Sequence, residues 1–329
     1  MTAQDPRPYE GLEPQVILDA VEKVGFHPDG SLLSLNSYEN RVYQIGMEEG
    51  PAIVAKFYRP HRWSDECILE EHAFALELCR HEIPIVAPIE SAHGETLHHH
   101  AGFRFTVFQK WGGRALELDR YDQLEWMGRF IGRFHAISRL KPFEHRLTIN
   151  METFVLEPYR YLLLNKLLPE YLESRYRFIV DALITKLEEV IAAIGPLECI
   201  RLHGDLHAGN VLWDDAGPHI VDLDDCMMGP AIQDIWMLLT GEQEHQAAQL
   251  EAILRGYEDF CEFNKRELAY IEVLRTFRQI HYTAWLAKRR QDPAFSRNFL
   301  WFNTVRYWEN HMYDLSEQIY RLPELETLS

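Results

Sequence analysis

The run HGDLHAGN, residues 203–210, puts two histidines, an aspartate and an asparagine into a single short segment. Two chemistries could use it. His203, Asp205 and His207 alternate, and on a strand they would face one side as ligands for zinc or a similar ion. The histidines at 98–100 could add to such a set. Gly204 and Gly209 instead mark the segment as a loop, where alternation defines no common face. The second chemistry is phosphoryl transfer, which needs a carboxylate near the attacking hydroxyl and a triphosphate clamped by Mg²⁺. Asp205 and Asn210 have the D-x-x-x-x-N spacing in which the aspartate takes the hydroxyl proton and the asparagine holds the ion. Asp222, in HIVDLDD, follows Asp205 by seventeen residues and ends the second arm of a hairpin whose first arm is NVLW. Mg²⁺ takes one or two protein carboxylates plus phosphate oxygens, and Asn210 with Asp222 matches that demand.

The triphosphate also needs a cation, and Lys56 in IVAKFY occupies a strand from which it could reach the α- and β-phosphates. Such a lysine needs a carboxylate to aim it. Glu71 shares a helical face with Phe74, Ala75 and Leu78, so it points toward protein, whereas Glu70 shares its face with Glu77 and reads as solvent-side. Ser37 and Asn40, in LNSYENRVYQ, can present hydroxyl, amide and backbone N–H groups to phosphate oxygens without a glycine arch, or can simply shape a turn. Plainer roles suit the neighbours. His203 reads as a loop brace, His207 as a residue near the transferred phosphate, and His135 as a core histidine. Asp224 and Asp225 read as orienting Asp222 or joining the metal site, and Asp234 as a helix-start or loop-bracing carboxylate. The 98–100 histidines suit a solvated hairpin tip, and Trp285, Trp301 and Trp308 suit a helical core.

The elements that must position these groups follow from pattern. Residues 13–26 and 64–81 read as helices, the second with Ser64 as N-cap and two acids in its first turn. RVYQIG and AIVAKFY, split by MEEGP, read as a hairpin, and GFRFTVF as a further strand. From about 119 the spacing turns helical, with stretches at 119–139, 155–194, 233–240, 245–263, 265–290 and 303–320. Only NVLW and HIVDLD interrupt them, and these flank the opening motif. The expected fold is α+β and bilobal: a small β-rich lobe, residues 1–110, and a larger helical lobe, residues 111–329, with a ligand crevice between them.

Composition narrows the partners. The chain has 329 residues, 47% of them hydrophobic, enough to bury a full core. A formal charge of −18 argues against nucleic acid and anionic membrane as partners. Five widely spaced cysteines, without a C-x-x-C pair, suit a reducing compartment. The opening MTAQDPRPYEGLEP lacks the basic-then-apolar pattern of a secretory leader, and no run of 18 apolar residues occurs, so the expected location is the cytoplasm. No amphipathic seam obviously lacks a partner, so a monomer is expected.

LHGDLHAGNVLW followed by HIVDLDD resembles the catalytic segment of the aminoglycoside phosphotransferase and choline kinase group, with its kinase-like fold. LNSYENRVYQ, VAKFYRP, ILEEHAFALEL and GPAIQDIWMLL narrow the resemblance, from about residue 12 to about 320, to its bacterial stress-response Ser/Thr protein kinases. The resemblance implies a bilobal enzyme with Mg·ATP in the cleft, Ser37 in contact with ATP, and a Ser/Thr hydroxyl of a protein as acceptor. The chain departs from many protein kinases in three places. No G-x-G-x-x-G precedes the hairpin, Gly204 stands where H-R-D has arginine, and Asp222-Leu223-Asp224 replaces D-F-G. No A-P-E follows, so no activation-segment phosphoswitch is expected. The motifs alone leave two alternatives open: a small-molecule kinase acting on an amino alcohol, sugar or antibiotic hydroxyl, and a nucleotide-binding regulator without turnover.

Overall fold

The computed structural model describes residues 7–324; residues 1–6 and 325–329, and with them the start of the opening stretch, lie outside it. The N-terminal region is an antiparallel sheet of β1 (Pro28–Ser34), β2 (Arg41–Met47), β3 (Ile53–Phe57), β4 (His98–His100) and β5 (Phe103–Gln109), in the order β1-β2-β3-β5-β4. Helix α1 (Pro14–Lys23) covers one face. Strand alternation explains the division of β3. Ile53, Ala55 and Phe57 enter a small core with Ile17, Ala20 and Val21 of α1, while Val54 and Lys56 turn to the opposite face and line the cleft. The expected hairpin is β2–β3, with Val42 opposite Lys56.

Helix α2 (Asp65–Arg80) starts where its cap predicts, the Ser64 hydroxyl accepting the Cys67 N–H at 3.3 Å. Its inner face belongs to the larger core of the helical region: Phe74 meets Phe134 of α3 (Tyr121–Ser138) edge-on at 5.3 Å. The helical region continues with α4 (Glu157–Leu164), α5 (Glu170–Ile194), α6 (Gln233–Trp236), α7 (Gln243–Tyr257), α8 (Ile271–Arg289), α9 (Phe295–Asn298) and α10 (Val305–Arg321). Helices α3 and α7 touch at backbone distance. A Cβ on Gly128 would overlap the Ile253 carbonyl oxygen, and one on Gly256 the Glu125 carbonyl oxygen.

Short strands carry the motif. β6 (Arg114–Ala115), β8 (Val211–Asp214) and β9 (Gly217–Ile220) form one sheet, and β7 (Ile200–Leu202) pairs with β10 (Met227–Gly229) in another. The fold is α+β and bilobal, as expected, with local differences. The stretch 155–194 is not one helix. It opens in a π-helical turn (Glu152–Leu156), and Lys166, at φ 50°, breaks it ahead of Pro169. Strand β1 escapes pattern reading because it is an edge strand whose residues are mostly exposed. The histidines at 98–100 are a strand rather than a tip, and His98 is buried against Phe105.

Candidate active site

A cleft of about 1040 Å³ lies against the sheet, and Ser37, Asn40, Lys56, Glu71, Asp205, Asn210 and Asp222 all line it. Lys56 is its electrostatic centre. The Nζ lies 3.0 Å from Asp222 Oδ1, 3.1 Å from Asp224 Oδ1 and 3.3 Å from Glu71 Oε1. Burial alone would depress the Lys56 pKa, but Asp222, Asp224 and Glu71 outweigh it and hold the ammonium well above its ordinary value. Glu71 is itself steadied by Arg146, whose Nη2 donates to its Oε2 at 2.9 Å. The helical-face argument for Glu71 is thus met in space, in a side chain that is fully buried.

The motif is a loop, which removes the strand alternation behind a zinc site. Among the described residues no three His, Cys, Asp or Glu side chains converge as a metal cage. The loop hangs from Asp234, which is entirely buried. Its two carboxylate oxygens accept the N–H groups of His203 and Gly204, each at 2.8 Å, and His135 Nε2 lies 3.2 Å away. His203 Nε2 reaches the Val221 carbonyl at 2.9 Å and ties the loop to the end of the hairpin. His203, His135 and Asp234 are therefore braces. Gly204 has φ 86°, and a Cβ there would overlap the Asp225 carbonyl oxygen, so an arginine does not fit this position.

Asn210 donates from Nδ2 to the Asp205 carbonyl at 3.0 Å, which leaves its amide oxygen available. Asp222 follows β9 by two residues in the left-handed conformation, φ 64° and ψ 69°, a strained setting for a non-glycine residue. Only its Oδ1 is taken by Lys56, and half of the side chain remains exposed. One carboxylate and one amide oxygen cannot make a metal cage alone, but they fit an ion that takes its other ligands from phosphate oxygens and water. Asp205 presents its carboxylate to the cleft, where Arg278 Nη1 meets Oδ1 at 2.9 Å and His207 Nε2 stands 3.6 Å from Oδ2.

Other expectations change in space. Asn40 is buried and its amide oxygen accepts the Arg59 N–H at 3.1 Å, so it fixes the 35–40 loop beside the cleft. Asp224 is buried and paired with Lys56 and Arg62. Glu70 is not solvent-side: its carboxylate accepts the N–H groups of Glu144, His145 and Arg146. Trp308 is core, but Trp285 lines the cleft and Trp301 is nearly half exposed. Arg62, Arg146 and Arg278 carry no local signal in the chain. Arg146 and Arg278 come from segments far from it along the chain, and Arg62, six residues after Lys56, pairs with Asp224 and Asp225 more than 160 positions away.

The profile of the phosphotransferase enzyme family matches residues 32–271. The chain belongs to that family. It is an enzyme of the kinase type, similar to Stress response kinase A of Escherichia coli (strain K12), at 44% identity over 96% of this chain and 95% of the relative. Serine/threonine protein kinase RdoA of Salmonella typhimurium is 43% identical over 94% and 93% of the two chains. Among solved structures, amicoumacin kinase hAmiN, in complex with AMP-PNP, Ca²⁺ and Ami, superposes with a TM-score of 0.73 at 22% identity, covering 96% of this chain and 97% of that one. A microcompartment-associated aminopropanol kinase follows at 0.69 and 17%, with 93% and 95% covered. These likenesses place this family member's fold among kinase-like phosphotransferases.

Proposed function

We propose that this phosphotransferase transfers the γ-phosphoryl group of Mg·ATP to a Ser/Thr hydroxyl of a protein, with Asp205 as the base. The observation that carries the reading is Lys56, held by Glu71 and Asp222 in one cleft with Asp205 and Asn210. Lys56 binds the α- and β-phosphates, and Glu71 positions it. Ser37 and the backbone of the Asn40 loop face the phosphates. Asn210 and Asp222 hold Mg²⁺, which when bound neutralises phosphate charge. Asp205 orients the acceptor hydroxyl and takes its proton at the carboxylate. A protein acceptor is supported by the 43% identical relative named a Ser/Thr protein kinase. A small-molecule alcohol is the second reading, favoured by the amicoumacin and aminopropanol kinases of like fold.

The division into a nucleotide-binding lobe, 1–110, and a catalytic lobe, 111–329, is supported by the end of the five-stranded sheet at Gln109. We place the protein in the cytoplasm as a monomer. All five cysteines are unpaired, and among the described residues no helix is long and apolar enough to cross a membrane. The test is transfer of γ-labelled phosphate to protein and metabolite acceptors, with Asp205→Ala compared under single turnover. A general base contributes about 10²–10⁴-fold, so the variant loses that much rate while still binding nucleotide. Full turnover by Asp205→Ala would remove Asp205 from the role.

A further inference from the structure

The acceptor side of the cleft has a charge pattern of its own. Every other carboxylate lining the cavity has an ion-pair contact away from α8's cleft-facing stripe: Glu71, Asp222 and Asp224 share Lys56, Asp224 and Asp225 share Arg62, and Glu39 meets Arg289. The wall beyond Asp205 is one stripe of α8, running from Phe277 and Arg278 through His281, Tyr282 and Trp285 to Lys288. It carries no carboxylate. His281 stacks on Phe154 at 4.5 Å, and burial together with the charges of Lys288, Arg289 and Arg278 pulls its pKa down to about 3, so the ring is neutral. Tyr282 and Trp285 stack at 5.6 Å.

The stripe's two cations, Arg278 and Lys288, are exposed. Arg278 spends one nitrogen on Asp205 and keeps the rest of its guanidinium open to the cleft. Lys288 lies over the Tyr161 ring at 5.2 Å, with Glu157 in electrostatic reach, but among the described residues it forms no ion pair. In a chain of net charge −18, this wall faces the substrate with positive charge.

We infer that the acceptor hydroxyl enters beside an anionic group, bound by Arg278, and that a second anionic group meets Lys288; in a protein this is a Ser or Thr flanked by Asp or Glu. The inference rests on the phosphotransfer reading above and assigns its substrate class. Lys288 follows Arg278 by ten helical positions, about 15 Å along the axis. An extended peptide covers that distance in about four to five residues. The spacing sets the pattern: one acid adjacent to the hydroxyl residue and another about four positions further on. A cationic acceptor such as an amino alcohol would meet like charge at both points.

The test uses the full chain with Mg·ATP and three peptides differing only at those two flanking positions: Glu, Gln or Lys. Hydroxy acids and amino alcohols serve as small-molecule acceptors. The expected order of kcat/KM is Glu over Gln over Lys, with at least about tenfold between the extremes, equivalent to about 1.4 kcal/mol. Lys288→Glu should narrow or invert the Glu-to-Lys ratio. Its distance from Asp205 lets the ratio be read even if Arg278→Glu abolishes transfer. Label on hydroxy acids alone would uphold the anionic acceptor and discard the protein one. Equal rates for all three peptides, or a preference for Lys peptides or amino alcohols, would overturn the charge inference and leave the transfer reading standing. Nucleotide binding without label on any acceptor would overturn both.

Discussion

Replacing Asp234 by Asn keeps the volume and removes the charge at the point from which the 203–210 loop hangs. One amide oxygen can still accept from His203 or Gly204, but the amide nitrogen then faces the other backbone N–H, donor against donor. In the native protein both bonds are 2.8 Å and fully buried, so no water replaces the lost one. A hydrogen bond to a buried charged group contributes about 1.5–3 kcal/mol, and an unsatisfied buried donor costs about 1–3 kcal/mol. Asp234→Asn should therefore lower folding stability by about 2.5–6 kcal/mol, a large share of the roughly 5–15 kcal/mol typical of a domain. Because the freed N–H, of His203 or Gly204, lies within two residues of Asp205, the single-turnover rate should fall about tenfold or more even where the protein is folded. Urea unfolding of wild type, Asp234→Asn, His135→Ala and the double variant measures the loss and its coupling to His135. An unfolding free energy within about 1 kcal/mol of wild type, together with an unchanged transfer rate, would refute the claim that Asp234 suspends the loop.

Three further outcomes follow from the same structure. Glu267 is buried, its carboxylate accepts the Ile232 N–H at 2.9 Å, and burial pushes its pKa from 4.5 up to about 7. Between those pH values the folded state keeps a proton that the unfolded state has lost, so stability falls as pH rises through the window, by about 3 kcal/mol at most. Glu267→Gln should flatten that slope in unfolding titrations at pH 5 and 8, with its advantage at pH 8. Gly128→Ala should destabilise by about 1–3 kcal/mol or more, because the added carbon overlaps the α7 backbone, which shifts less readily than a side chain; thermal unfolding measures it. Burial alone would raise the Glu39 pKa, but Arg62, Arg289 and Arg59 hold it low, and Tyr38 beside it packs edge-on against Phe299 at 4.9 Å. Glu39→Gln should therefore speed amide exchange across residues 35–41, and unchanged protection there would argue against this clasp.

Much of the site is legible because its spacing is local. Asp205 and Asn210 belong to one turn, and Asp222 is one short hairpin away, so chain geometry holds them near each other before any packing is considered. Lys56 is read from its place in a strand-like run, and Glu71 from its face, since the helical period of α2 turns it inward with Phe74, Ala75 and Leu78. The reading of Glu70 as solvent-side fails because the loop it satisfies, residues 144–146, comes from more than seventy positions away. Trp285 fails similarly, because a helix face that lines a cleft has the same apolar spacing as one that enters a core.

What the amino-acid order determines by itself is the set of groups on offer: two carboxylates, an amide and a lysine on a strand, at separations set by a loop and a hairpin. Tertiary structure decides what surrounds them. Arg146 and Arg278 reach the site from remote segments, Arg62 finds its carboxylate partners more than 160 positions away, and Asp234 becomes a loop's support only when α6 packs beneath it. Charge acts through space, over a few ångströms and at low dielectric, so a cation's partners are set by folding and not by its neighbours in the chain.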